Sequence, residues 1–272
     1  MHAPLFRPLN DRIRQLTHWL NGNCDLSGVR LEPASEDASF RRYFRIERDD
    51  GDSLIAMDAP PDKEDCRPFV DVAARLETAG LHVPHIHAAD LAQGFLLLED
   101  LGSVSYLQAL DETTADRLYG DAIDALVRLQ QAGVEGLPPY DEALLRRELQ
   151  LFPEWLVERH LGLALSEGER RVLDRTFDLL VDSALEQPVV CVHRDYHSRN
   201  LMVVDERNPG IIDFQDAVAG PITYDLVSLL RDCYISWPAD RVARWRQGFF
   251  DQVGGTDAVQ FRRWFDRMGV QR

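Results

Sequence analysis

Between residues 189 and 214 short apolar runs alternate with polar turns, and this constrains the fold more tightly than any other stretch. Val189, Val190, Cys191 and Val192 form one apolar run, and His193 to Asn200 form a polar loop. Residues 201–204 are apolar again, residues 205–210 read Asp-Glu-Arg-Asn-Pro-Gly, and a third apolar run ends in Asp213. Apolar runs bounded by turn residues read as strands. The first loop then carries Asp195 and Asn200, and the end of a later strand carries Asp213.

These three side chains suit phosphoryl transfer. That chemistry needs a carboxylate to orient and deprotonate a hydroxyl, and hard oxygen ligands to hold Mg²⁺ on the phosphates. Asp195 is the candidate base, and Asn200 and Asp213 are the candidate metal ligands. The bland alternative is an Asx-rich surface turn with an acid further on. Three elements in this order, on a strand–loop–strand frame, favour the catalytic reading.

His193-Arg194-Asp195-Tyr196-His197-Ser198-Arg199-Asn200, followed by Ile212-Asp213-Phe214-Gln215, resembles the aminoglycoside phosphotransferase and choline kinase superfamily. The resemblance covers nearly the whole chain. It implies an α+β, two-lobed, protein-kinase-like fold. A small antiparallel-sheet lobe over residues 1–100 would bind nucleotide, and a mainly helical lobe over 101–272 would carry catalysis and the acceptor. Softer runs at 38–45, 56–61 and 215–226 are similar to the bacterial anomeric N-acetylmuramate and N-acetylglucosamine kinases of cell-wall recycling. The activity implied is ATP- and Mg²⁺-dependent phosphorylation of a sugar hydroxyl, most simply the anomeric one. Two alternatives stay open: an aminoglycoside, choline or ethanolamine phosphotransferase, and a nucleotide-binding pseudokinase. The resemblance also gives supporting roles to His193, to His197 and to Asp225, a buried carboxylate bonding catalytic-loop amides or His193. The aspartate's bland reading is a helix cap.

Composition narrows the partners. The chain has 46 acidic residues against 30 basic ones, a formal net charge of −16. A nucleic-acid or anionic-membrane surface needs a basic face, so neither partner is expected. Cys24, Cys66, Cys191 and Cys233 are scattered without metal spacing, which reads as a reduced, cytoplasmic chain. The first eight residues hold no apolar signal core, and no apolar run approaches membrane-spanning length. A monomer acting on ATP and a small sugar is the expectation.

In the first hundred residues, apolar spacing at Ile13, Leu16, Trp19 and Leu20 predicts a helix over 11–20, ended by Asn21-Gly22-Asn23. Residues 29–31, 43–46 and 54–57 read as strands, and so do 83–87 and 94–98. The loop 34–41 occupies the phosphate-covering position implied by the resemblance, yet it holds no glycine. Ser39 and its neighbouring amides are the candidates there. Kinases present a lysine from the third strand. Here Ala56-Met57-Asp58 stands instead, with Arg41, Arg42 and Arg45 as candidate sources of the missing charge. Each could equally be a solvated strand residue. The resemblance implies that Leu98, Glu99 and Leu101 form the hinge against adenine, where an ordinary strand end is the alternative. His82, His85 and His87 lack a fourth ligand and are not read as a metal site.

Beyond residue 105 the pattern is helical, over 115–132, 141–151 and 166–185, with a break and restart at Phe152-Pro153. Ser166 and Glu169 have capping-box spacing. Asp225 opens another helix. Residues 231–234 and Trp237 are candidates for lining the acceptor site, although aromatics at helical spacing are more often core. The chain ends in an Arg- and Trp-rich helix. Resembling proteins continue with further helices, which implies a chain shortened at its C-terminus.

Overall fold

The computed structural model describes residues 7–24, 26, 28–35, 40–48 and 51–272. They fall into two units, one reaching Ala74 and including Val83–Gly102, the other comprising Arg75–His82 and Ser103–Arg272.

The first unit is built on a five-stranded antiparallel sheet in the order β1-β2-β3-β5-β4. Its strands are β1 (Glu32–Ser35), β2 (Arg42–Glu47), β3 (Ser53–Asp58), β4 (Ile86–Asp90) and β5 (Phe95–Glu99), and helix α1 (Arg7–Asn23) precedes them. Helix α2 (Arg67–Thr78) begins in this unit. Side chains alternate between the two faces of a strand. Phe44, Ile46, Ala56, Phe95 and Leu97 therefore share one face, where they pack against Leu16, Trp19 and Leu20 of α1. Burying each such large apolar side chain contributes roughly 1.5–3 kcal/mol.

Several boundaries differ from expectation. Residues 29–31 are not a strand; Val29 and Leu31 pack on the α1 core, and the ladder starts at Glu32. Pro33 is tolerated because β1 is an edge strand. The fourth strand begins at Ile86, beyond Pro84, which has no N–H to donate. The fifth begins after Gly94, whose φ of 72° belongs to a turn. A Cβ there would lie 1.8 Å from the Ala59 carbonyl oxygen, so only glycine fits. Helix α1 runs through Gly22 to Asn23, where the Asn23 side-chain Nδ2 donates to the Trp19 carbonyl at 3.1 Å.

The second unit contains α3 (Tyr106–Ala109), α4 (Ala115–Gln130), α5 (Glu142–Leu151), α6 (Glu167–Leu185), α7 (Tyr224–Leu230), α8 (Ala239–Val253) and α9 (Ala258–Gln271). Ser166 caps α6 in a full capping box with Glu169. The helix does not break at Pro153; it continues as a π-helix over Phe152–His160. The wider turn lets the chain pass a proline that cannot donate within an α-helical ladder. Two small antiparallel pairs hold the loop of interest. Strand β6 (Val189–Val192) pairs with β9 (Val218–Pro221), and β7 (Leu201–Met202) pairs with β8 (Gly210–Ile211). Strand β7 is shorter than the apolar run 201–204, because the Val203 amide turns to the Val104 carbonyl at 2.8 Å. Strand β9 was not anticipated, since Val-Ala-Gly-Pro shows no alternation. Among the described residues no helix is long and apolar enough to cross a membrane.

Candidate active site

The loop leaving β6 is held from beneath by Asp225, which is fully buried in the first turn of α7. Its two carboxylate oxygens accept the His193 amide at 2.7 Å and the Arg194 amide at 3.0 Å. Burial pushes the Asp225 carboxyl up to about 7, against the two amide donors that favour its charged form.

His193 links the loop to the strand that carries Asp213. Its Nδ1 accepts the Asp195 amide at 3.2 Å, so Nε2 carries the proton and donates to the Ile212 carbonyl at 3.0 Å. Both ring nitrogens are thereby used by the neutral form. Burial holds the imidazole down to about 4. Between about 6.5 and 4 the unfolded chain binds a proton here that the folded chain refuses, so stability falls with falling pH. Asp225 acts with the opposite sign between about 4 and 7, because its folded form holds its proton longer. The two slopes offset each other in the total, so a difference measurement is needed. The stability of the wild type minus that of His193→Gln should shrink by about 2–3 kcal/mol between pH 7 and pH 4.5. Denaturant melts across that range check it, and a constant difference would contradict the neutral, buried imidazole.

Asn200 draws the three sequence-predicted residues together. Its amide nitrogen donates to the Asp195 carbonyl at 3.0 Å and to Oδ2 of Asp213 at 3.3 Å. The Ile212 amide closes the other side by donating to the Asn200 carbonyl at 3.1 Å. Oδ1 of Asp213 accepts from Gln215 Nε2 at 2.8 Å. Asp213 and Arg194 both sit in the left-handed region, with φ of 64° and 78°. Non-glycine residues adopt that region at a cost, and such strain gathers at functional sites. The Asp195 carboxylate accepts no hydrogen bond among the described residues, and burial pushes it above the usual carboxylate range, with Arg272 opposing. The contact from Asn200 Nδ2 to Asp213 Oδ2 brings together a side-chain amide and a carboxylate, the two groups whose hard oxygens suit magnesium held jointly with phosphate oxygens.

Asp232 was read as lining an acceptor site. Its carboxylate is instead bound to the Ser198 amide at 2.9 Å, to the Ser198 hydroxyl and to the Tyr234 amide. It fixes the far half of the loop as Asp225 fixes the near half. Trp237 belongs to an aromatic cluster, donating to the Tyr119 hydroxyl at 2.9 Å and lying edge-on to Trp245. His197 lies edge-on to Tyr234, its amide donates to the Asp195 carbonyl at 3.0 Å, and burial lowers its pKa.

In the first unit the three arginines all meet carboxylates. Arg41 pairs with Glu64 at 3.1 Å, Arg42 with Asp58, and Arg45 with Asp100. Asp58, the last residue of β3, is fully buried between Arg12 and Arg42. Arg42 thus stands on the α1 face, opposite the face of Tyr43, Met57 and Leu98. Leu98 and Leu101 are buried, and the Glu99 carboxylate accepts the His85 amide at 3.1 Å. Ser39 lies outside the described residues. Sequence reasoning missed Glu148 and Arg272, which reach the loop from distant segments with no local signal.

Comparison with known proteins adds to this geometry. A family model described as phosphotransferase enzyme family matches residues 30–265. An N-acetylmuramate/N-acetylglucosamine kinase of Pseudomonas aeruginosa is 51% identical over 96% of this chain and 82% of its own length. Its namesake in Pseudomonas putida is 48% identical over 96% and 81%. A solved structure of an aminoglycoside phosphotransferase from Streptomyces rimosus, in complex with ADP and streptomycin, is similar with a TM-score of 0.62. That similarity spans 94% of this chain and 97% of the other at 18% identity, and it shows the fold, a kinase-like α+β fold.

Proposed function

The chain belongs to the phosphotransferase enzyme family, and from that premise we propose that it transfers the γ-phosphoryl group of ATP to the anomeric hydroxyl of N-acetylmuramate or N-acetylglucosamine. The observation that carries the reading is the meeting of Asp195, Asn200 and Asp213 through one amide side chain. The substrate comes from relatives about half identical to this chain.

Asp195 orients the sugar hydroxyl and takes its proton as the oxygen attacks the γ-phosphorus, the bond from that phosphorus to the β,γ-bridging oxygen breaks, and ADP leaves. Its raised pKa makes it a better proton acceptor than an exposed aspartate. Asn200 and Asp213 would hold Mg²⁺, which when bound neutralises charge on the phosphate oxygens. His193, Asp225 and Asp232 fix the loop so that no reorganisation is needed at the moment of transfer. Residues 1–100 would supply nucleotide contacts, with Arg45 better placed than Arg42 because it stands off the α1 face. Cell-wall recycling and a cytoplasmic site of action fit that substrate.

A coupled ADP-release assay over both amino sugars, an aminoglycoside, choline and ethanolamine tests the reading. Turnover is expected with the amino sugars and should vanish with EDTA. Turnover confined to another acceptor would overturn the substrate, and nucleotide binding without any turnover would favour a pseudokinase.

A further inference from the structure

We infer that Arg272 is a positioning residue for the catalytic base, closing a ring of contacts that fixes the peptide between Arg194 and Asp195. Its Nη1 donates to the Arg194 carbonyl at 2.6 Å, and its guanidinium carbon stands 4.5 Å from the centre of the Tyr224 ring. Tyr224 meets Tyr140 edge-on, with ring centres 5.0 Å apart. The Tyr140 hydroxyl donates to one oxygen of Glu148. The other Glu148 oxygen accepts Nη2 of Arg194 at 2.8 Å, and the path returns to the residue it left. Gly220 makes room for this arrangement, since a Cβ there would lie 3.0 Å from that of Tyr140.

The ring acts on one peptide unit. The Arg194 carbonyl is held by Arg272, and the amide of the same peptide, that of Asp195, is held by Nδ1 of His193. Arg194 is in the left-handed region, a conformation that persists only while its surroundings impose it. Were the carbonyl released, the peptide could rotate and carry the Asp195 carboxylate off line. Arginine suits the place because a planar guanidinium can donate along its edge and stack through its face at once. The end of α9 is anchored independently, by Gln271 Nε2 donating to the Leu145 carbonyl at 3.3 Å. The role of Arg272 is therefore separable from holding the helix.

The role rests on the kinase reading, so its test has two readouts. In the amino-sugar assay Arg272→Met should lower kcat about tenfold to a hundredfold, the cost of misplacing a reacting group by about an ångström. Both KM values and the melting temperature should stay near wild type. Arg272→Lys should recover part of the loss, and guanidinium ion added to Arg272→Met should recover part as well. Independently of turnover, amide hydrogen exchange over residues 192–198 should quicken in Arg272→Met. Wild-type kcat and exchange in Arg272→Met would overturn the inference. So would a loss that appears as a raised acceptor KM or a lowered melting temperature, or one that neither lysine nor guanidinium relieves. A wild type that turns over no acceptor, with exchange still quickened by the methionine, would remove the kinase reading and leave the clamp standing.

Discussion

Asp195→Ala is expected to lower kcat for sugar phosphorylation by about a thousandfold while leaving the melting temperature unchanged or slightly higher. The two halves of that expectation have one cause. The Asp195 carboxylate is half-buried, accepts no hydrogen bond among the described residues, and has a pKa raised by desolvation. A charged group in that state costs stability, so its removal relieves the fold. The loop does not need the carboxylate, because its backbone is held through His193, Asn200 and Asp225. Asp195→Asn should be nearly as inactive, since an amide can orient the acceptor but cannot take its proton. Steady-state kinetics beside thermal melts check the pair. Near wild-type turnover in either variant would refute Asp195 as the base, and a large loss of stability would show that the side chain is structural.

Asp225→Ala should do the reverse, losing stability and activity together. Two amides, of His193 and Arg194, would lose their acceptor in a fully buried place. An unsatisfied buried donor costs about 1–3 kcal/mol, so the loss should be about 3–5 kcal/mol, or roughly 5–15 °C in melting temperature. Asp225→Asn keeps one acceptor oxygen but turns a donor toward the other amide, so it should rescue little. Turnover in folded Asp225→Ala at low temperature should fall by at least about tenfold, since the left-handed Arg194 loses its amide anchor. A variant that melts like the wild type would contradict the account of the loop.

What the sequence could show was local. The order His193, Asp195, Asn200 and Asp213 lies within one strand–loop–strand stretch, where spacing alone decides which residues can share a site. The supports of that loop are remote: Glu148 lies 46 residues from Arg194, Asp232 lies 34 from Ser198, and Arg272 lies 78 from Arg194. No periodicity links such positions, so Asp232 read as an acceptor residue and Arg272 did not register. Strand boundaries slipped where backbone constraints outweighed apolar pattern, as at Pro84 and Gly94. The sequence could place the arginines of β2 next to the loop 34–41, but their faces depended on register. Only the pairing of Arg42 with Asp58 shows that this one belongs with α1.

Phosphorus NMR on the chain with ATP, Mg²⁺ and N-acetylglucosamine tests the central claim most directly. Direct transfer to the anomeric oxygen with Asp195 as the base predicts loss of the γ-phosphate signal and growth of a sugar 1-phosphate resonance coupled to the anomeric proton, absent in Asp195→Ala. A γ-phosphate released only as inorganic phosphate, or a sugar phosphate that forms equally well in Asp195→Ala, would contradict it.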